Sequence, residues 1–309
     1  MNYDIYHSSI TYFPLLPLSK TASFERKVLD IRQMPAQVLF PHWDDEFEFI
    51  YVLSGMMEFR VRQKAFLVSS GEGFFLNTGE IHSACTYQSY DCRFVIYRIC
   101  PSVLFQTEDN PLYQKYIKPL VDHPSFGFLT FVPKVPWQKY ILEMIRKMND
   151  ICDRPVDGYE LKINHFVNEI FYYIFHNVNL SKELSLKESR DLERMKDVMI
   201  YLTKTIDQKH TLADIASYCH LSNSELFQRN VHLSPVDYLN QLRIHMSLSE
   251  IIKHEKKITD IAKMYGFSGS SYFSEMFKKT LSITPRAFYK SVLQQQTLSS
   301  NADPIHGRR

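Results

Sequence analysis

The rhythm of apolar and polar positions changes once along this chain, near residue 133. Upstream, short runs dense in aromatic and β-branched residues recur at close spacing: Phe47 to Leu53, Met57 to Val61, Ala65 to Val68 and Phe94 to Ile99. Such side chains suit a pleated, half-buried surface, so each run predicts a strand. Ser54-Gly55 and the Ser-Gly-Glu-Gly stretch at 70–73 read as turns between them. Many short strands between about residue 20 and 133 imply a barrel or sandwich. Pro133 and Pro136 close the region, and helical spacing takes over. Tyr140, Ile141, Met144, Ile145 and Met148 form one stripe; Leu161, Phe166, Val167, Ile170, Phe171 and Ile174 form a wider one. These stripes serve internal packing or a dimer seam. Ser181 to Ser189 is polar and reads as a linker, and a second all-helical region runs from about Arg190 to Leu293. The polar tail from Gln294 to Arg309, with Pro304, is expected to be disordered.

The predicted class is therefore α+β with two domains. The expected boundaries are 1–135 for the β domain, 136–189 for a helical dimerisation and linker region, 190–293 for the helical domain and 294–309 for the tail. A length of 309 residues suits two cores, and 45% hydrophobic with 23% charged residues is an ordinary globular balance. The formal charge of +2 points to no partner by itself. Between Lys187 and Lys290, however, sixteen Lys/Arg face twelve Asp/Glu, and the excess is late: Lys253, Lys256, Lys257, Lys263, Lys278, Lys279, Arg286 and Lys290. Five scattered cysteines without a CxxC pair argue against a disulfide framework or a structural zinc site and suit a reducing compartment. The first residues show no signal-peptide pattern, and no apolar run approaches the ~18 residues of a membrane span. A cytoplasmic protein with no membrane partner is expected.

The helical region contains a repeat. Thr211-Leu-Ala-Asp-Ile-Ala-Ser-Tyr-Cys-His-Leu-Ser222 recurs 46 residues later, with Lys257-Ile-Thr-Asp-Ile-Ala-Lys-Met-Tyr-Gly-Phe-Ser268. In each copy a short helix carries an alanine (Ala216, Ala262) where a second helix crosses closely. A turn follows, eased by Gly266 in the second copy. An apolar plug (Leu221, Phe267) then precedes a serine (Ser222, Ser268) suited to cap the next helix. In the second copy that helix turns Phe273, Met276 and Phe277 inward and leaves Ser270, Ser271, Glu275, Lys278 and Lys279 on its other face.

Ile258-x-x-Ile-Ala-x-x-x-Gly-Phe-Ser268, Tyr272-Phe-Ser-x-x-Phe-Lys278 and Thr284-Pro-x-x-Phe-Tyr289 resemble the C-terminal pattern of the AraC family of bacterial transcription regulators. The resemblance implies two recognition helices about one DNA turn apart, held by the helix that starts at Ser234-Pro and ends near Ile252. It also implies DNA-facing positions: Ser222, Asn223, Ser224, Gln228 and Arg229 in the first unit, and Ser268, Ser270, Ser271, Tyr272, Glu275, Lys278 and Lys279 in the second. The partners implied are double-stranded DNA, a second copy of the chain as a homodimer, and RNA polymerase if the protein activates. Three departures stand out. The first recognition helix reaches Pro235 three or four residues early, about one turn. The glycine usual before the Ser/Thr-Pro step is missing around His232 and Ser282. Glu275 stands where the family often has arginine, and it can accept from cytosine N4.

In the β region, His42, Asp44, Glu48 and His82 form a ligand set of two imidazoles and two carboxylates that suits Mn, Fe or Zn. Period-2 spacing puts His42, Asp44 and Glu48 on one strand face if the strand stays regular. His42-x-Asp44-x3-Glu48-x6-Gly55 and Gly71-x5-Asn77-x-Gly79-x2-His82-x3-Thr86 resemble the two motifs of the cupin β-barrel, with Asn77 for proline, Asp44 for a histidine and Thr86 for asparagine. A cupin sensor ahead of two helix-turn-helix units is familiar in the AraC family. The resemblance thus implies a pocket for a sugar or other small polar metabolite, with His42, Asp44, Glu48 and His82 as its polar groups and Trp43, Phe47, Tyr51 and Tyr97 as aromatic walls. No cofactor is expected, and a metal at the four polar residues is the lesser alternative. Two competing readings are a metal-dependent cupin enzyme with a helical appendage, and a regulator controlled by a protein partner through the 159–176 helix.

Overall fold

A computed structural model describes residues 24–290, apart from 35–36, 89, 105–108, 124–125, 179–185, 209, 211–213, 215–222 and 254. The polar tail and nearly all of the first repeat's leading helix lie outside these residues. The chain forms two compact units, the main division falling between Leu192 and Glu193.

Among the described residues the first unit holds eight antiparallel strands: β1 (Phe24–Asp30), β2 (Val38–His42), β3 (Phe47–Val61), β4 (Lys64–Ser69), β5 (Gly73–Leu76), β6 (His82–Thr86), β7 (Cys92–Ile99) and β8 (Phe128–Phe131). One sheet runs β1-β7-β3-β5-β8, and a second is built from β2, β6, β3 and β4. β3 belongs to both. Its first half pairs with β5 and β7, and from Met56 onward it pairs with β4 and β6. Ser54-Gly55 is therefore not the hairpin turn that its composition predicts. The chain continues through it as one strand, with a bulge between Val52 and Ser54 that bends it from one sheet into the next. Gly55 sits at φ +80°, and a Cβ there would lie 1.6 Å from the Asp91 carbonyl oxygen. Turn chemistry is needed at this corner, but to bend the strand rather than to reverse it.

Alternation along the strands sorts two cores. Ile50, Val52, Phe74, Phe94 and Ile96 point between the sheets and meet Met57, Phe59, Val61, Val68 and Ala84. Phe47, Phe49, Phe75, Val95, Tyr97 and Ile99 point the other way, into a helical layer. That layer follows a π-helical stretch (Tyr113–Ile117) and the single turn α1 (Lys118–Val121). It consists of α2 (Pro136–Asp153), with proline in its first turn, and α3 (Tyr159–Asn177). Ile141, Met144, Ile145 and Met148 of α2 and Val167, Ile170, Phe171 and Ile174 of α3 complete this second core. Segment 136–177 thus packs on the β unit's sheet. Tyr140 and Leu161 depart from the predicted stripes: both are exposed, Leu161 at 78%.

The division falls within α4 (Leu186–Lys204), and the second unit is helical: the rest of α4, then α5 (Asn223–Asn230), α6 (Pro235–Lys253), α7 (Ile258–Met264), α8 (Ser270–Leu281) and a helical turn over 285–290. α4 starts inside the stretch that reads as linker. α6 is buried along most of its length and packs against α7 and α8. α7 ends in a left-handed Gly266 at φ +70°, where the N–H groups of Gly266 and Phe267 return to the carbonyls of Lys263 and Ala262. A Cβ at Gly266 would lie 2.7 Å from both the Arg243 guanidinium and the Ile206 carbonyl oxygen. Ala262 is fully buried, as close helix crossing requires.

The two Ser/Thr-Pro steps share one local architecture. His232 and Ser282 both take left-handed backbone, at φ 59° and 61°, where a glycine is absent. Two residues later, Ser234 and Thr284 accept backbone N–H bonds from Asp237 and Ala287, capping the helices that open with Pro235 and Pro285. Ser268 does not play the matching role before α8. The residue at the cap is Gly269, extended and without a side-chain bond, so Ser268 stays one residue outside and exposed.

Two substitutions test these constraints. Gly55→Ala is expected to destabilise the first unit by about 3 kcal/mol or more, because the methyl group meets backbone and the left-handed φ is strained as well; urea unfolding measures it. Ser282→Gly relieves a left-handed non-glycine residue and is expected to stabilise the second unit by about 1 kcal/mol, read as a higher denaturation midpoint.

Candidate functional site

The four polar residues singled out in the β unit come together. His42 ends β2, Asp44 lies in the connection that follows, Glu48 is the second residue of β3, and His82 opens β6. They do not share one strand face, as simple alternation suggests. The β2–β3 connection delivers Asp44, and the β2–β6 register sets His42 opposite His82. All four are buried, with Glu48 and His82 each 2% exposed. One ligating atom from each lies within 4.8 Å of the others. His42 Nε2 is 3.5 Å from Asp44 Oδ2, and His82 Nε2 is 3.0 Å from Glu48 Oε2.

Backbone carbonyls orient both rings. His42 Nδ1 lies 2.7 Å from the Phe40 oxygen, and His82 Nδ1 lies 2.9 Å from the Glu80 oxygen. A carbonyl can only accept, so each Nδ1 carries the hydrogen, and in a neutral ring each Nε2 presents a lone pair to the cluster. Burial lowers the pKa of His82, with Asp44 and the Glu80 contacts opposing; the ring is neutral near pH 7. Glu48 moves the other way. Burial, then the Asp44 carboxylate, raises its pKa well above the usual carboxylate range, while His42 pulls it down. Despite their 3.0 Å approach, Glu48 Oε2 and His82 Nε2 have no aligned hydrogen-bond partner.

Composition alone does not single out Arg98, yet it serves the cluster. It donates to Asp44 Oδ1 at 3.2 Å and also binds Glu25. The signal was alternation along β7, where Arg98 shares the inward face of Phe94 and Ile96. Lys27 is buried close by, and burial lowers its pKa against the pull of Asp44, Glu48 and Glu46. Asn77 is explained locally: its N–H donates to the Gly127 oxygen at 2.8 Å, and its side chain donates to the Leu120 and Phe126 oxygens. Proline at this position has no N–H to give.

The aromatic walls are mostly elsewhere. Tyr97, Phe47 and Tyr51 point into the helical layer, on the opposite face of their strands from Glu48, and Tyr97 lies 3.5 Å from Asn149 Oδ1 of α2. The period-2 alternation that turns Glu48 inward turns Phe47 outward, and Tyr97 follows from the same rule against Ile96 and Arg98. Trp43 alone remains, buried between His42 and Asp44 in sequence.

In the helical unit, α8 buries Phe273, Phe277 and Leu281 and half-buries Met276. Ser271, Tyr272, Glu275, Lys278 and Lys279 are exposed on it, and Ser270 is half-buried at its first position. The Tyr272 hydroxyl accepts from Asn240 of α6 at 3.3 Å, and Lys279 lies 3.7 Å from Asp237. Arg243 of α6 is buried under this helix pair. It donates to the Ile206 oxygen at 2.9 Å and to the Gln208 oxygen, and stands 5.7 Å over the Phe267 ring. In the first repeat, α5 has 8 residues against 12 in α8. Asn223 and Ser224 open α5, Gln228 and Arg229 are exposed near its end, and Ser222 lies outside the described residues.

Comparison with known proteins agrees with both halves. Residues 30–153 match the AraC-like ligand binding domain, and residues 212–291 match a helix-turn-helix domain. The chain is 27% identical over 252 residues to the uncharacterized HTH-type transcriptional regulator YdeC of Bacillus subtilis, covering 81% of this chain and 85% of that one. It is 20% identical to the HTH-type transcriptional activator RhaR of Yersinia pseudotuberculosis, covering 87% and 91%. Among solved structures it is similar to ToxT from Vibrio cholerae, at 16% identity and a TM-score of 0.45 over 87% of this chain and 98% of that one. With an AraC-like ligand-binding domain followed by a helix-turn-helix domain in one polypeptide, the chain belongs to the AraC family of transcription regulators.

Proposed function

We propose that this DNA-binding regulator responds to a small polar ligand held at His42, Asp44, Glu48 and His82, and that α8 carries most of its base discrimination. The observation behind the second clause is the asymmetry of α8: a buried Phe273–Phe277–Leu281 stripe anchors it, and Ser271, Glu275, Lys278 and Lys279 remain exposed. A helix so anchored offers short side chains to base edges and ammonium groups to phosphates. α5, one turn shorter, offers less of such a surface. A ligand changes DNA affinity only by favouring one state of the protein over another, so the response requires differential binding at the cluster. A sugar is one candidate ligand, although Phe47, Tyr51 and Tyr97 face the helical layer and offer it no stacking surface. The relatives matched over most of their length carry regulator names, which favours regulation over catalysis.

We also take the protein to act as a homodimer in the cytoplasm, recruiting RNA polymerase where it activates. Leu161, Tyr172 and Phe175 of α3 are exposed at 78%, 58% and 39%. Spacings of 11 and 14 residues hold them on one helix face. No described helix is long and apolar enough to cross a membrane.

DNA-binding, footprinting and sedimentation measurements test this reading. In full-length protein, Lys278→Ala is expected to weaken binding to all duplexes alike and to reduce the slope of log K against log salt by about 1. Ser271→Ala and Glu275→Gln instead change which bases are preferred in a random-oligonucleotide selection. Footprints equally sensitive to base changes in both half-sites are incompatible with the dominance of α8. For the dimer, Leu161→Glu with Tyr172→Glu is expected to shift sedimentation from dimer to monomer; an unchanged dimer places the seam elsewhere.

A further inference from the structure

Resting on the reading that α8 carries the base discrimination, we propose that Glu275 makes this helix require one cytosine in its half-site and sense whether that cytosine is methylated at N4. The carboxylate accepts the N4 hydrogen that a C·G pair turns into the major groove.

Position on the helix comes first. The buried side chains of Phe273, Phe277 and Leu281 anchor α8. Glu275 is two residues from each phenylalanine. At about 100° per residue it therefore lies about 160° around the axis from either, on the crest of the exposed face. The flanks of this crest differ. Tyr272 and Lys279 share the side turned toward α6, where the Tyr272 hydroxyl accepts from Asn240 at 3.3 Å and the Lys279 ammonium lies 3.7 Å from Asp237. Ser271 and Lys278 share the other side, and both are exposed. When such a helix enters the major groove, its flanks approach the phosphates of the groove walls and its crest faces the base edges.

The charge on the crest is also available. Lys278 and Lys279 follow Glu275 at the spacings where helical ion pairs form. Lys279 is turned to Asp237 instead, and among the described residues no ion pair or hydrogen bond engages the Glu275 carboxylate. Phosphates on both sides of the groove repel a carboxylate in this position. It therefore lowers affinity for every duplex that offers it no hydrogen, which is discrimination by exclusion.

Base chemistry then selects the partner. An ionised carboxylate only accepts. Guanine presents O6 and N7 in the major groove and thymine presents O4, all acceptors that repel it. Adenine offers an N6 hydrogen, but its N7 lone pair stands beside it. Cytosine offers an N4 hydrogen next to a C5–H edge that carries no lone pair, so it is the favoured base. In the pair with guanine, one N4 hydrogen is already given to guanine O6, and the carboxylate depends on the other. A methyl group on N4 of the paired base takes that second position and removes the hydrogen.

The test starts from duplexes that the full-length protein enriches from a random-oligonucleotide pool. Wild-type protein is expected to fix one C·G pair that Glu275→Ala leaves free to vary. Glu275→Gln is expected to convert it to A·T, because a glutamine amide pairs with adenine N6 and N7. Circular dichroism confirms the fold of both variants. An enriched duplex is then synthesised with N4-methylcytosine at that position alone. Wild-type affinity is expected to fall about tenfold, the ordinary cost of a mismatched pair, while Glu275→Ala binds both duplexes equally. Absence of such a cytosine, or one that survives both substitutions, overturns the proposal, as does a methyl group that acts on both proteins alike or on neither. If Ser271→Ala still alters base preference in that case, α8 remains the discriminating helix and only the role of Glu275 is lost. A cytosine tied to Glu275 beside equal base sensitivity in the other half-site upholds the proposal and defeats the dominance of α8.

Discussion

The β unit depends on a steric constraint at one position. β3 serves two sheets because it bends at Gly55, where the Asp91 carbonyl leaves no room for a side chain and the backbone sits at positive φ. The bend lets the first half of β3 carry Glu48 inward from one sheet, while the second half supports β6, and so His82, in the other. Straighten β3 and the two halves of the polar cluster belong to different faces of a flat sheet. The bulge at Val52–Ser54 has the same consequence, since it adjusts the register at the point where pairing changes from β7 to β4 and β6.

In the helical unit the organising element is α6. It is buried along most of its length, and several of the polar residues buried there reach partners. Arg243 anchors the carbonyls of Ile206 and Gln208, and Asn240 reaches the Tyr272 hydroxyl. His245, buried, has its pKa lowered to about 4 by desolvation and is therefore neutral near pH 7. The left-handed residues at His232 and Ser282 show how a repeat can survive loss of its usual glycine. The Ser/Thr-Pro cap that follows supplies hydrogen bonds and a preset φ, which offset part of the strain.

Much of this was determined by sequence alone. The α8 pattern is local: its apolar spacing of three to four residues selects one buried face, and that spacing implies the exposed face as well. The missing turn of α5 follows from counting residues to Pro235, because proline ends the preceding geometry wherever it stands. The strands β4 and β7 and the convergence of His42 with His82 were likewise legible, the latter through a two-motif resemblance. Tertiary structure decided what depends on neighbours distant in the chain. Ser54-Gly55 has the composition of a turn, and only the Asp91 carbonyl on the facing strand makes it a bend within a strand. Tyr97 and Phe47 are aromatic residues of a β region whether they line a ligand site or a helix layer. Which of the two they meet is set by the packing of α2 and α3 on one face of the sheet. Arg98 is an unremarkable arginine until the β1–β7–β3 pairing brings it between Glu25 and Asp44. Local rules specify which side chains share a face; the identity of the opposing face is a property of the assembled sheet and is not encoded in the spacing of any one strand.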